Sequence, residues 1–280
     1  MAFNALAIMA YRAAMGFEQR LQSELAALTG HEDSVVELCG LLSPGRLIET
    51  DEGEGRPGLW MTVEPASADL WTTVRELHER TGLWPLLLES SPHDDEIRPW
   101  ESGELSLEKI TSPDLHDHAT LLATWWAQHT EVDADSDPLS PTERIAVTAP
   151  YGQHWPGLAP GKPFTAEPTS FAAEYAVRLT AQNPDMRLGL AAAGRGADAL
   201  AAAGWTGPPN YTNDTGEIAA VLRSWEDRSG AVVVGVGLAD LYLSIAAPPS
   251  TLQEALHVAA EHFAFCPDNI WQNSHPYTLA

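Results

Sequence analysis

Apolar positions along the chain fall into two periods, and Gly and Pro separate the segments that carry them. Residues 1–30, MAFNALAIMAYRAAMGFEQRLQSELAALTG, keep a helical repeat to a stop at Gly30 and predict one amphipathic helix. Gly45–Thr50 and Leu59–Glu64 are strand-like runs on either side of the turn-rich Asp51–Gly58. Asp69 then caps a predicted helix with Leu70, Val74 and Leu77 at helical spacing, closed by Gly82. Leu83–Ser90 predicts a short buried strand, and strand–helix–strand order predicts a layered α/β module over residues 31–130. Ser112-Pro113-Asp114 opens the last helix of that module, with a cap, a proline in the first turn and an acid beside the positive helix end. Its apolar stripe is Leu115, Ala119, Leu122 and Trp126.

Residues 131–168 are dense in Pro and Gly and predict a linker region, with one short strand in Arg144–Pro150. The pattern is clearest after it. Ser170–Thr180 is helical, Arg187–Ala193 a strand and Gly196–Trp205 a short helix. Asp214 and Glu217 have capping-box spacing, followed by Ile218, Val221, Leu222 and Trp225 along one helix face. Ala231–Gly237 and Leu241–Ala247 predict a hairpin stopped by Pro248-Pro249. Ser250 and Gln253 repeat the capping-box spacing before Leu252, Ala255, Leu256, Ala259 and Phe263. A hairpin mixed with strand–helix units predicts an α+β fold: a mixed sheet with packed helices in a C-terminal domain at 169–280, preceded by the smaller α/β module.

Charge narrows the partners. The chain has 39 acidic against 15 basic residues, a formal charge of −24, and its only lysines are Lys109 and Lys162. Arginine in place of lysine is also what a GC-rich genome writes, and acidity by itself favours solubility. With no basic run, nucleic acid and anionic membrane are excluded as partners, and a basic protein is the expected one. The apolar N-terminal run is too short for a membrane span, so residues 1–30 predict a docking or homo-oligomerising helix. Cys39 and Cys266 form no framework and fit a reducing, cytoplasmic compartment.

Several motifs fail on spacing or context. Gly194-Arg195-Gly196-Ala197-Asp198-Ala199 fits a dinucleotide fingerprint, but its helix is about two turns long and no acid follows at the ribose position. Asp133, Asp135 and Asp137 begin like a calcium loop, yet Pro138 and Arg144 stand where Gly and Glu belong. His116 and His118 are two apart and face away from one another, and His93-Asp94-Asp95-Glu96 lies in a loop. His257 and Glu261 share a helix face as an exposed pair, while His262 sits about 140° round the helix from His257, which breaks the inverted zinc-protease motif. The expectation is therefore no metal and no cofactor. Cys266 closes a helix at its negative end, which disfavours thiolate. The ten tryptophans are read as core, with a sticky interface as the alternative.

The segments Leu222–Ala231, Pro248-Pro249, Glu254–Asn269 and Ile270-Trp271-Gln272 resemble the bacterial family named domain of unknown function 4253. The resemblance extends from about Phe171 to the C-terminal end, and Ser229 departs from the aromatic residue expected between Arg228 and Gly230. It implies no activity. Its polar and aromatic motif residues, Trp225, Glu226, Arg228, Glu261, Cys266 and Asp268, are the candidates for a functional or structural role; no catalytic residue is assigned. Two functions are open. One is a noncatalytic protein-binding module of immunity or regulatory type. The other is an enzyme of unrecognised type with a carboxylate/arginine cleft between the modules.

Overall fold

A computed structural model describes residues 2–51, 55–90, 97–131, 139–207, 212–271 and 278–279, with backbone alone for 2–14 and 271. The candidate loops at His93–Glu96 and Asp133–Asp137, and Gln272, lie outside the described residues. The elements in chain order are α1 (Ala2–Thr29), α2 (Val36–Cys39), β1 (Gly45–Glu49), β2 (Pro57–Pro65), α3 (Ala68–Thr81) and β3 (Leu83–Leu88). There follow α4 (His118–Thr130), α5 (Pro141–Val147), α6 (Pro168–Gln182), β4 (Arg187–Ala192), α7 (Ala199–Ala202) and α8 (Thr215–Ser229). The chain continues through β5 (Ala231–Val236), β6 (Leu241–Ile245), α9 (Leu252–Phe265) and α10 (Asp268–Trp271).

The six strands form one mixed sheet in the order β1-β2-β4-β3-β5-β6. Only β3 and β5 run parallel; the other neighbours are antiparallel. The fold is α+β. β4, from the C-terminal part, lies between β2 and β3 of the N-terminal part, so the stretches on either side of residues 131–168 build a single sheet and share one core.

Helices cover both faces. On one, α3 and α6 pack together, and α1 is tied to the sheet by the Trp60 indole N–H, which donates to Glu24. On the other, α7 and α8 pack on the sheet, α4 packs on α8, and α9 packs on α4 and meets α8 through the side chains of Glu261 and Phe265. A small second core forms there around Leu122, Trp126, Val221 and Phe263. Trp126 stands edge-on to Phe263 with ring centroids 5.7 Å apart.

Several local expectations change. Arg144–Pro150 is not a strand: Ser140 and Glu143 form a capping box, Pro141 opens α5, and the helix takes Arg144–Val147. The caps of α3 and α9 shift by one or two residues, to Ser67, which accepts from Leu70 N, and Thr251, which accepts from Glu254 N. The segment at Ser112 makes only a 3-10 turn, leaving Leu115 exposed, and Asp117 caps α4 by accepting from Thr120 N. Asp214 caps α8, but Glu217 accepts from the Thr212 hydroxyl instead of closing the box. Of the two glycines flanking Arg195, Gly196 serves packing, while a Cβ on Gly194 would meet nothing within 4 Å. A Cβ on Gly196 would lie 2.3 Å from the Trp84 ring, so only glycine lets this turn rest on that indole.

Candidate functional site

The six candidates do not form one cluster. Trp225, Arg228 and Glu261 meet; Cys266 and Asp268 lie beyond Trp225 at the far end of α9; Glu226 turns away. Trp225 and Arg228 are three apart on the last turns of α8, so both reach the α9 side. Glu261 is 2 % exposed. The Arg228 guanidinium donates to its two oxygens, Nη1 to Oε1 at 2.9 Å and Nη2 to Oε2 at 2.6 Å. The Trp225 indole N–H donates to Oε2 at 2.7 Å, and the backbone N–H of Ala159 donates to Oε1. Arg228 also donates to Ala159 O at 2.6 Å and Ser224 Oγ at 2.9 Å. Each carboxylate oxygen thus holds two donors, which is what a buried carboxylate requires and leaves neither oxygen open to a substrate.

The expected exposed His257–Glu261 pair is overturned. His257 Nδ1 lies 2.9 Å from Gln253 O and 3.2 Å from the Tyr151 hydroxyl, while Glu261 turns inward to Arg228. Glu226 is half-buried and accepts from Arg195 Nε at 3.0 Å, with Asp227 accepting from the same guanidinium at 2.5 Å.

Two cavities flank Trp225. The larger, about 680 Å³, is walled by Trp125, Trp205, Trp225, Phe265 and Tyr242, with Cys266, Asp268 and Asp240 on its polar side. The rings adjoin: Phe265 lies 4.9 Å from Trp225 and 6.2 Å from Trp125, centroid to centroid. No Lys or Arg is among its described lining residues. Burial pushes the Cys266 thiol up, and Asp268 and Asp240 add to the shift, so it is a poor nucleophile at neutral pH. Burial, with a hydrogen bond to Glu89, likewise raises the Tyr242 phenol. The smaller cavity, about 420 Å³, is lined by Pro160, Pro248, Pro249, Ile245 and Val258, and by the paired Arg228–Glu261 and Lys162–Glu254. Lys162 and Ser250 hold the Glu254 carboxyl down at about 2.

Asp240, Tyr242 and Phe265 escaped the sequence reading, whereas Trp125 and Trp205 entered it among the tryptophans read as core or interface. Asp240 reads as a turn residue of the hairpin, and Tyr242 as one aromatic in a strand; nothing in their spacing places them beside α9.

Residues 187–280 match the family model described as Domain of unknown function (DUF4253). The matched segment runs from β4 to the C-terminal end and contains all six candidates. It starts later than Phe171. Trp125, Ala159 and Lys162 lie outside it, so the walls of both cavities are completed by the preceding sequence. No curated protein and no solved structure matches the chain. Among the described residues no group of His, Cys, Asp and Glu is placed to hold a metal ion, and no helix is long and apolar enough to cross a membrane.

Proposed function

We propose that this chain is a noncatalytic protein-binding module that takes a basic partner in the aromatic cleft beside Trp225. The observation that carries the reading is the make-up of the larger cavity: contiguous indole and phenyl walls, carboxylates at Asp240 and Asp268, and no cation among its described lining residues. Aromatic faces attract guanidinium and ammonium groups, and a nearby carboxylate supplies the counter-charge. The rest of the surface supports it. Arg46, Arg195, Arg223, Arg228 and Lys162 are each tied to carboxylates of the same chain, which leaves the excess of acid facing outward to steer a basic partner. Against catalysis stand the saturated Glu261 carboxylate and the raised thiol of Cys266. The two half-buried free cysteines suit a reducing, cytoplasmic setting.

The test is selection of displayed random peptides on the intact protein at low salt. Arg- or Lys-bearing sequences should enrich on the wild type. They should be lost at high salt and on the paired variant Asp240→Asn with Asp268→Asn. Selection of neutral sequences that ignore both changes, or no enrichment, would sink this reading.

A further inference from the structure

Both cavities lie along one strand. β6 ends the sheet: β5 pairs with one side, and among the described residues no strand pairs with the other. Such an edge presents unpaired backbone groups at every second residue. Two hydrogen bonds fix which. Asp240 O accepts from Gly237 N at 2.8 Å, and Ala246 N donates to Gly230 O at 3.3 Å, so the even-numbered residues face β5. Leu241, Leu243 and Ile245 therefore turn their N–H and C=O groups outward, and their side chains line the cavities.

The trough follows the edge itself and not only one face of the sheet. Tyr242 lines the larger cavity and Tyr175 of α6 the smaller, and both belong to the opposite face from Leu241 and Leu243. α9 forms the far wall. Its start, at Glu254 and Val258, lies beside Ile245, and its end, at Phe265, lies beside Leu241, so helix and strand run antiparallel with a groove between them. Five residues of strand span about 17 Å.

We infer that an extended basic segment of a partner protein adds to the free edge of β6 as a further strand, with a cationic side chain in the aromatic cavity and an apolar one against Pro248 and Val258. This rests on the binding reading above and names how the partner docks. Strand addition draws affinity from backbone hydrogen bonds and selectivity from pockets for alternate side chains, and the groove offers both. The charge fits as well, since the larger cavity holds two carboxylates and no cation among its described residues.

The probe is a synthetic copy of whichever peptide the selection enriches, titrated into the full-length protein. Amide hydrogen exchange should slow by about tenfold or more at Leu241, Leu243 and Ile245, and change less at Tyr242 and Ser244, which β5 already pairs. Leu243→Pro removes an outward N–H that β5 does not use and should weaken the peptide about tenfold more than Leu243→Ala, which loses the same packed side chain but keeps the N–H. The enriched sequences should carry their basic and apolar anchors an even number of residues apart. Bound peptide that leaves the three outward amides unprotected, or enriched sequences with helical period, overturns strand addition and leaves the basic-partner reading standing. Failure to enrich any basic peptide removes both.

Discussion

At the residue scale the governing feature is Glu261, a carboxylate out of water with four donors around it. Removing one member of a buried, saturated pair leaves the other charge uncompensated. Glu261→Ala should therefore cost roughly 3–5 kcal/mol in urea unfolding, and Arg228→Met with Glu261→Met should cost less than the single change. A Glu261→Ala protein of unchanged stability would show that the carboxylate is not structural and would return it to the functional candidates. The sequence marked Glu261, Arg228 and Trp225 as interesting but paired Glu261 with His257, because spacing along one helix sees only neighbours on that helix. The real partner is 33 residues away on α8, and only the tertiary packing that sets α9 beside α8 brings the two together. His78 offers a second residue-scale test. It is buried, Nε2 lies 2.7 Å from Ala193 O, and burial is the chief cause that lowers its pKa. A depressed imidazole binds its proton more readily in the unfolded chain. Its contribution is thus complete above the ordinary value of about 6.5 and is lost as pH falls through the lower folded value. The imidazole should titrate below its ordinary value by NMR, and melting temperature should drop from neutral to mildly acidic pH less steeply in His78→Gln than in the wild type.

At the element scale the sequence located most helices and strands and missed mainly where two local signals competed. The β-branched and apolar content of Arg144–Pro150 suggested a strand, but Ser140, Pro141 and Glu143 just before it make a complete helix start, and the helix won. At α9 both Ser250 and Thr251 are good caps. Thr251 accepts from Glu254 N, and Glu254 in turn accepts from Ser250 N, so the box is staggered across two residues. Thr251→Ala should cost about 1 kcal/mol, whereas Gln253→Ala should stay within about 0.5 kcal/mol, by thermal or urea unfolding. The reverse order would restore the Ser250–Gln253 assignment. Gly196 separates the packing role of its loop from any phosphate role. A methyl there meets the Trp84 indole, so Gly196→Ala should destabilise by about 1–3 kcal/mol.

At the scale of the whole molecule, what the chain order could not convey is interleaving. The period of apolar residues marks β4 as a strand, but strand neighbours are set by long-range packing that no local pattern encodes. Hence the sequence reads as two modules joined at 131–168, while β4 takes one neighbour from 57–65 and the other from 83–88. The cavities inherit the same dependence. Their floor comes from the family-matched segment, and Trp125, Ala159 and Lys162 close them from outside it. A fragment starting at Arg187 keeps the β5–β6 hairpin but leaves β4 with neither partner and β5 without β3. Such a piece uncovers three strand edges and half of a shared core, and a lone two-stranded hairpin is marginal in water. Residues 187–280 expressed alone, and residues 169–280 with α6 added, should therefore show no cooperative melting by circular dichroism and poor amide dispersion by NMR. Mixing 187–280 with 1–186 should restore both, along with binding of any peptide the intact protein selects. If instead 187–280 melts cooperatively by itself, the matched segment is a self-sufficient unit. Its cleft must then function without Trp125 and Ala159, and Glu261 must find another donor in place of Ala159 N.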